Sequence, residues 1–147
     1  MIVRHLLLLS VLIFAVLSCS PNSLSDFKKE GEASMLAITK ELNAIHTREQ
    51  LIGISPRLKE LFNDIVDTII EAREYQNSNP THPSSELSDK NSSLNDHLRA
   101  ELNRIYQSIE GGREIIETCQ KIALNKLDAF EQKRAHKDAV DAQSIQE

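Results

Sequence analysis

From residue 26 onward, apolar side chains recur along this chain at steps of three and four. Phe27, Met35, Ile38, Leu42, Ile45 and Ile52 form one stripe, with Lys28, Lys29, Lys40, Glu41 and Arg48 off it. That is the period of an amphipathic helix. Ser25 or Asp26 can cap its start, while Gly31 weakens its early turns by about 1 kcal/mol. Gly53-Ile54-Ser55-Pro56 then reads as a stop: a glycine past the last turn, a serine as the next N-cap, and a proline at the first position of the following helix. The pattern predicts a helix over 26–52 and a second over 56–75. The second buries Leu58, Phe62, Ile65, Ile69 and Ala72, and Leu61, Val66 and Ile70 widen its apolar side enough to meet two neighbours.

Between 76 and 93 the pattern disappears. These residues hold six serines, three asparagines and two prolines (Pro80 and Pro83), with Leu87 as the one aliphatic residue. Such a segment buries too little apolar area to offset its ordering entropy and reads as a flexible linker, with a recognition loop as the functional alternative. A third helix is expected over 94–135, with Ser93 and Asp96 in a capping-box-like arrangement. Its seam is the most regular in the chain: Leu98, Leu102, Ile105, Ile109, Gly112, Ile116, Cys119, Ala123 and Phe130 follow steps of four and three almost throughout, a heptad pattern. Because the phase persists on both sides of Gly111-Gly112, the helix is expected to continue through them, weakened and open to a kink. Past Glu131 the composition turns polar, and 138–147 is expected to fray. The fold class is therefore all-α, an elongated and mainly antiparallel three-helix bundle (26–137) with partly coiled-coil packing. The long linker leaves the direction of the third helix open.

The N-terminus has a different grammar. Met-Ile-Val-Arg-His is followed by an apolar run from Leu6 to Leu17 broken by Ser10, and then by Ser18-Cys19. One cation before about a dozen apolar residues is the pattern of a secretory signal, and the run is shorter than the roughly 20 residues that span a bilayer. Val16-Leu17-Ser18-Cys19 resembles the lipobox of bacterial lipoproteins, although Leu17 stands where a small residue is usual and Ser18 replaces the commoner glycine or alanine. The resemblance covers residues 1–19. It implies that 1–18 is a signal peptide and that Cys19 becomes the lipid-modified first residue of a 129-residue mature chain. It also implies membrane attachment through acyl chains such as palmitate. Ser20 after the cysteine, where inner-membrane retention uses aspartate, implies the outer membrane by analogy with enteric lipoproteins. A tether over 19–25 would reach about 20 Å. An ordinary secretory signal cut near Ala15 or Ser18, with Cys19 incidental, is the competing reading.

Composition narrows the classes. Aromatic residues make up 4% of the chain, with no tryptophan, four glycines and four prolines, which argues against an all-β fold. Removing 1–18 takes away Arg4, one of 17 cations, and none of the 22 acids, leaving a net charge of −6. An acidic body lacks the footprint of a nucleic-acid binder, and anionic headgroups repel it, so it is expected to stand off the membrane. Two cysteines cannot build a four-cysteine metal site.

Candidate chemistry is sparse. Among His46, His82, His97 and His136, none has a glutamate three residues before it, as di-iron bundles require. His97 with Glu101, and His46 with Glu49, would supply two ligands at most and read as solvated surface. The same holds for the pairs Glu71/Glu74 and Asp138/Asp141, where no burial would split the two pKa values. Cys119, on the seam, reads as a buried small apolar residue, with an intermolecular disulfide as the alternative. Two glycines inside a helix cost about 2 kcal/mol relative to alanine. Gly111-Gly112 therefore implies a close approach by another helix, a point of flexure, or mere tolerance. No catalytic residue, metal or cofactor is expected. The expected function is non-enzymatic: an envelope lipoprotein bound to the membrane through Cys19, meeting a protein partner or a second copy through the third helix. The alternative is a surface-exposed lipoprotein contacting a host or another cell.

Overall fold

Four helices make up nearly all of residues 23–79 and 92–144, the parts of the chain that the computed structural model describes. They are α1 (Leu24–Asn43), α2 (Arg48–Ser78), α3 (Ser92–Ser108) and α4 (Gly112–Ser144), and no strand occurs among the described residues. The fold is all-α as the periodicity predicts, with one helix more than expected and several different boundaries. The signal segment, Cys19 and most of the 76–93 linker lie outside the described residues.

α1 starts at Leu24, so the expected tether over 19–25 loses its last two residues to helix. Ser23 is the cap instead of Ser25 or Asp26: its hydroxyl accepts from the Asp26 N–H (3.2 Å) and donates to the Asp26 carboxylate (2.8 Å). The earlier start buries Leu24 and Phe27, and the Phe27 ring meets that of Tyr75 at 5.8 Å.

The first helix does not run to residue 52 and stop at Gly53–Pro56. It ends at Asn43, the chain turns over 44–47, and α2 runs from Arg48 through Gly53 and Pro56 to Ser78. The reason is a capping box at Thr47-Arg48-Glu49-Gln50. The Thr47 hydroxyl accepts from the Gln50 N–H (3.3 Å), while the Gln50 side-chain oxygen accepts from the N–H groups of Thr47 (3.2 Å) and His46 (2.8 Å). Three donors otherwise left without partners are satisfied there. At 53–56 the expected cap is not used: the Ser55 hydroxyl donates back to the Leu51 carbonyl (2.9 Å). Pro56 deprives only the Ile52 carbonyl of its helical donor, on a side of α2 where Ile52 and Pro56 are exposed and solvent can substitute.

The expected helix over 94–135 is two helices. Ile109 to Gly112 form a turn in which the Gly112 N–H donates to the Ile109 carbonyl (2.9 Å) and Gly111 takes φ +67°. α4 then continues to Ser144, further than the frayed tail expected from residue 138.

Contacts set the directions. Phe27 meets Tyr75 and Gly31 lies beside Thr68, so α1 and α2 are antiparallel. Ser55 faces Cys119, Asp67 pairs with Lys126 and Arg73 with Glu131, so α4 runs parallel to α2, not antiparallel. α3 packs on α1 and touches α4 around their shared turn, while α4 packs along α2 and not on α1. Both tight turns, 44–47 and 109–111, therefore lie at one end of the bundle. The core sits toward that end: Ile38, Leu42, Leu51, Leu58, Ile105 and Ile116 are fully buried. Each contributes about 1.5–3 kcal/mol by leaving water. Away from the turns, Leu127 and Phe130 are only half-buried.

Candidate functional site

The densest polar arrangement lies at the turn end, where α3 crosses the end of α1. The last carbonyls of a helix lack N–H partners and carry partial negative charge. The Arg104 guanidinium, reaching across from α3, donates to the carbonyls of Leu42 (2.6 Å) and Ile45 (2.9 Å) and to the Glu101 carboxylate (2.8 Å). Glu101 also accepts from the Asn43 side chain (3.1 Å). α3 places these two residues three apart on one face, and its neighbouring Ile105 is fully buried. The hydrogen bond from Arg104 is the main reason the Glu101 carboxyl is held below the usual carboxylate range; burial opposes this, and Asn43 and His46 add to it. Because the folded-state value is depressed, the stability Glu101 contributes is present above its unfolded-state value and lost as pH falls through the folded one.

Next to this clasp is the glycine turn. A Cβ on Gly112 would sit 2.6 Å from the Ile105 carbonyl oxygen, and one on Gly111 would be strained by its positive φ. Of the three readings of these glycines within one continuous helix, the structure shows a close approach, but at a turn between two helices, with the last part of α3 as the neighbour. Tyr106 and Arg113 flank the turn with a cation–π contact at 4.7 Å. Burial raises the Tyr106 hydroxyl above its ordinary pKa.

The structure does not gather the remaining candidates. Cys19, His82 and the Asp138 and Asp141 side chains lie outside what is described. His46, His97 and His136 are exposed, as are Glu71 and Glu74. Glu101, the expected partner of His97, is engaged by Arg104. Glu49 is held below the usual range by its own backbone N–H and by Thr47, as befits the first turn of α2. Among the described residues no three His, Cys, Asp or Glu side chains converge as a metal site. Cys119 is buried, its thiol donating to the Ser55 carbonyl (3.6 Å). Open grooves of about 540 and 450 Å³ lie between α2 and α4, around Arg134. A smaller one of about 260 Å³ is lined by Ile52, Ile115 and Cys119. None draws titratable groups into an enclosed, dry space.

The clasp went unread in the sequence. Its signal is faint: one arginine at the edge of an apolar seam, three residues after a glutamate. No helix among the described residues is long and apolar enough to cross a membrane. Comparison with protein-family models, with curated proteins and with solved structures finds no match to this chain.

Proposed function

We propose that this chain is a small helical lipoprotein of the bacterial cell envelope, anchored by lipid at Cys19 in the outer membrane and serving as a non-enzymatic interaction or scaffolding module. The observation that carries the reading is the lipobox-like Val16-Leu17-Ser18-Cys19, which ends four residues before the Ser23 cap of α1. A bundle joined so closely to its anchor is confined to within about 14 Å of it. Two features support the interaction side. The seam from 98 to 123 keeps a heptad spacing across the turn between α3 and α4, the register that a continuous helix would need for self-association with a second copy of this chain. Ile52 and Ile122 are also exposed on α2 and α4, the two helices that share the longest parallel pairing.

The test is metabolic labelling of the expressed full chain with a palmitate analogue, followed by intact-mass measurement. Labelling with a diacylglycerol-sized mass increment is expected, and Cys19→Ala removes both. A mature chain without lipid, beginning near residue 16 or 19, would replace this reading with simple secretion.

A further inference from the structure

We infer that α4 is an exchangeable arm: it opens at Gly111-Gly112, continues α3 as one straight helix, and packs on α2 of a second copy of this chain. The inference deepens the self-association side of the reading above and rests on that side alone, independently of the anchor at Cys19.

Three observations carry it. The first is phase. Leu98, Leu102, Ile105, Ile109, Gly112, Ile116, Cys119 and Ala123 keep steps of four and three straight through the turn. Two helices joined by a turn have no need of a common register; a continuous helix does. The second is the nature of the turn. Gly111 at φ +67° and the 2.6 Å approach at Gly112 are demands of the bent form, since the backbone of a straight helix requires glycine at neither position. Glycine tilts the hinge toward the bend, through the positive φ at Gly111 and above all through the lack of a Cβ at Gly112. The third is what holds α4. It packs along α2 and meets α3 only near the junction, and it has no packing on α1. α1, α2 and α3 stay joined without it through the Arg104 clasp and the α1–α2 hairpin.

Opening one hinge therefore frees α4 as a unit and bares the matching face of α2. A second copy in the same state offers an identical α4 and an identical face, so the exchange is reciprocal and closes as a twofold dimer. Straightened, 92–144 is a helix of about 80 Å. Every contact between α4 and α2 reforms between copies, including Asp67–Lys126 and Arg73–Glu131. The equilibrium is then set by the hinge and by concentration.

The test uses two differently tagged full-length copies, one with Asp67→Cys and the other with Lys126→Cys, expressed together and mildly oxidised. A mixed covalent dimer on a non-reducing gel, above the level either variant gives alone, places α4 of one copy on α2 of the other. We expect mixed dimer with the native hinge. Gly111→Ala with Gly112→Ala in both copies should shift the equilibrium toward it by about 30-fold per hinge, from the two helix-propensity increments alone. A Gly-Ser insertion after Gly111 relaxes the bend and should return the yield to background. Absence of mixed dimer with both native and alanine hinges overturns the inference. Should the alanine hinge cost the fold its helix content, the comparison between native and inserted hinges decides, and equal yields overturn it.

Discussion

Where α1 gives way to the 44–47 turn, the Leu42 carbonyl accepts from the Ile45 N–H (3.0 Å), and Arg104 adds a donor from a different helix both to it and to the Ile45 carbonyl. The planar guanidinium can do this while also meeting Glu101, because its donors diverge in a fixed fork; an ammonium is a single point with the wrong spacing. Hydrogen bonds to a charged group are worth about 1.5–3 kcal/mol each in favourable cases, and Arg104 is only one-third exposed. Arg104→Ala is expected to lower the unfolding free energy by about 2–3 kcal/mol in urea denaturation, and Arg104→Lys to recover less than half of the loss. A change within 0.5 kcal/mol would show that solvent serves the Leu42 and Ile45 carbonyls equally well.

Between elements, local chemistry competed with pattern, and the two turns were decided differently. At the first, a T-x-x-Q capping box outweighed a Gly-x-Ser-Pro signal that looks stronger on paper. The clue was available in the seam, since Leu51, Ile54, Leu58, Leu61 and Ile65 stay in phase across Gly53–Pro56. Gly53 is left as a helical glycine with nothing within 4 Å of where a Cβ would stand. Gly53→Ala is therefore expected to stabilise the fold by about 1 kcal/mol, read as a higher melting temperature. At the second turn, phase misled in the opposite sense: it runs on through Gly111-Gly112, so periodicity had no means of detecting a break made by backbone geometry. What periodicity did read is burial, for Ile105, Ile109, Gly112, Ile116, Cys119 and Ala123 are all buried. The Arg104 clasp escaped because the two acceptors that join α3 to the end of α1 lie about 60 residues away and belong to backbone, which no side-chain pattern encodes. The anchor proposed at Cys19 has the opposite character, resting on a sequence resemblance at residues that lie outside the described structure.

Over the whole molecule, packing is graded along the axis. The turn end is closed by three helices around Ile38, Leu42, Leu51 and Ile105. Toward the other end, α1 and α4 each lean on α2 without meeting. Local opening is cheapest where few apolar contacts hold. Native-state amide exchange is expected to give the slowest amides in 38–66 and 105–123, with α4 beyond Phe130 exchanging at least tenfold faster. Uniform protection along α4 would mean that α2 alone suffices to hold it.

The chain enters the bundle at the start of α1, and both tight turns lie at the opposite end, about 30 Å away along that helix. Tension between these two points runs parallel to the helix axes. The load falls on α1 itself, whose backbone joins the two points, and its turns can lengthen only by sliding their side chains along those of α2. Resistance to such a load is governed by the rate of unfolding, not by equilibrium stability. Pulled from the two ends of α1, this small bundle behaves as a splinted rod, its strength set by the ridges of α1 seated against α2 and by the Arg104 rivet at the far end.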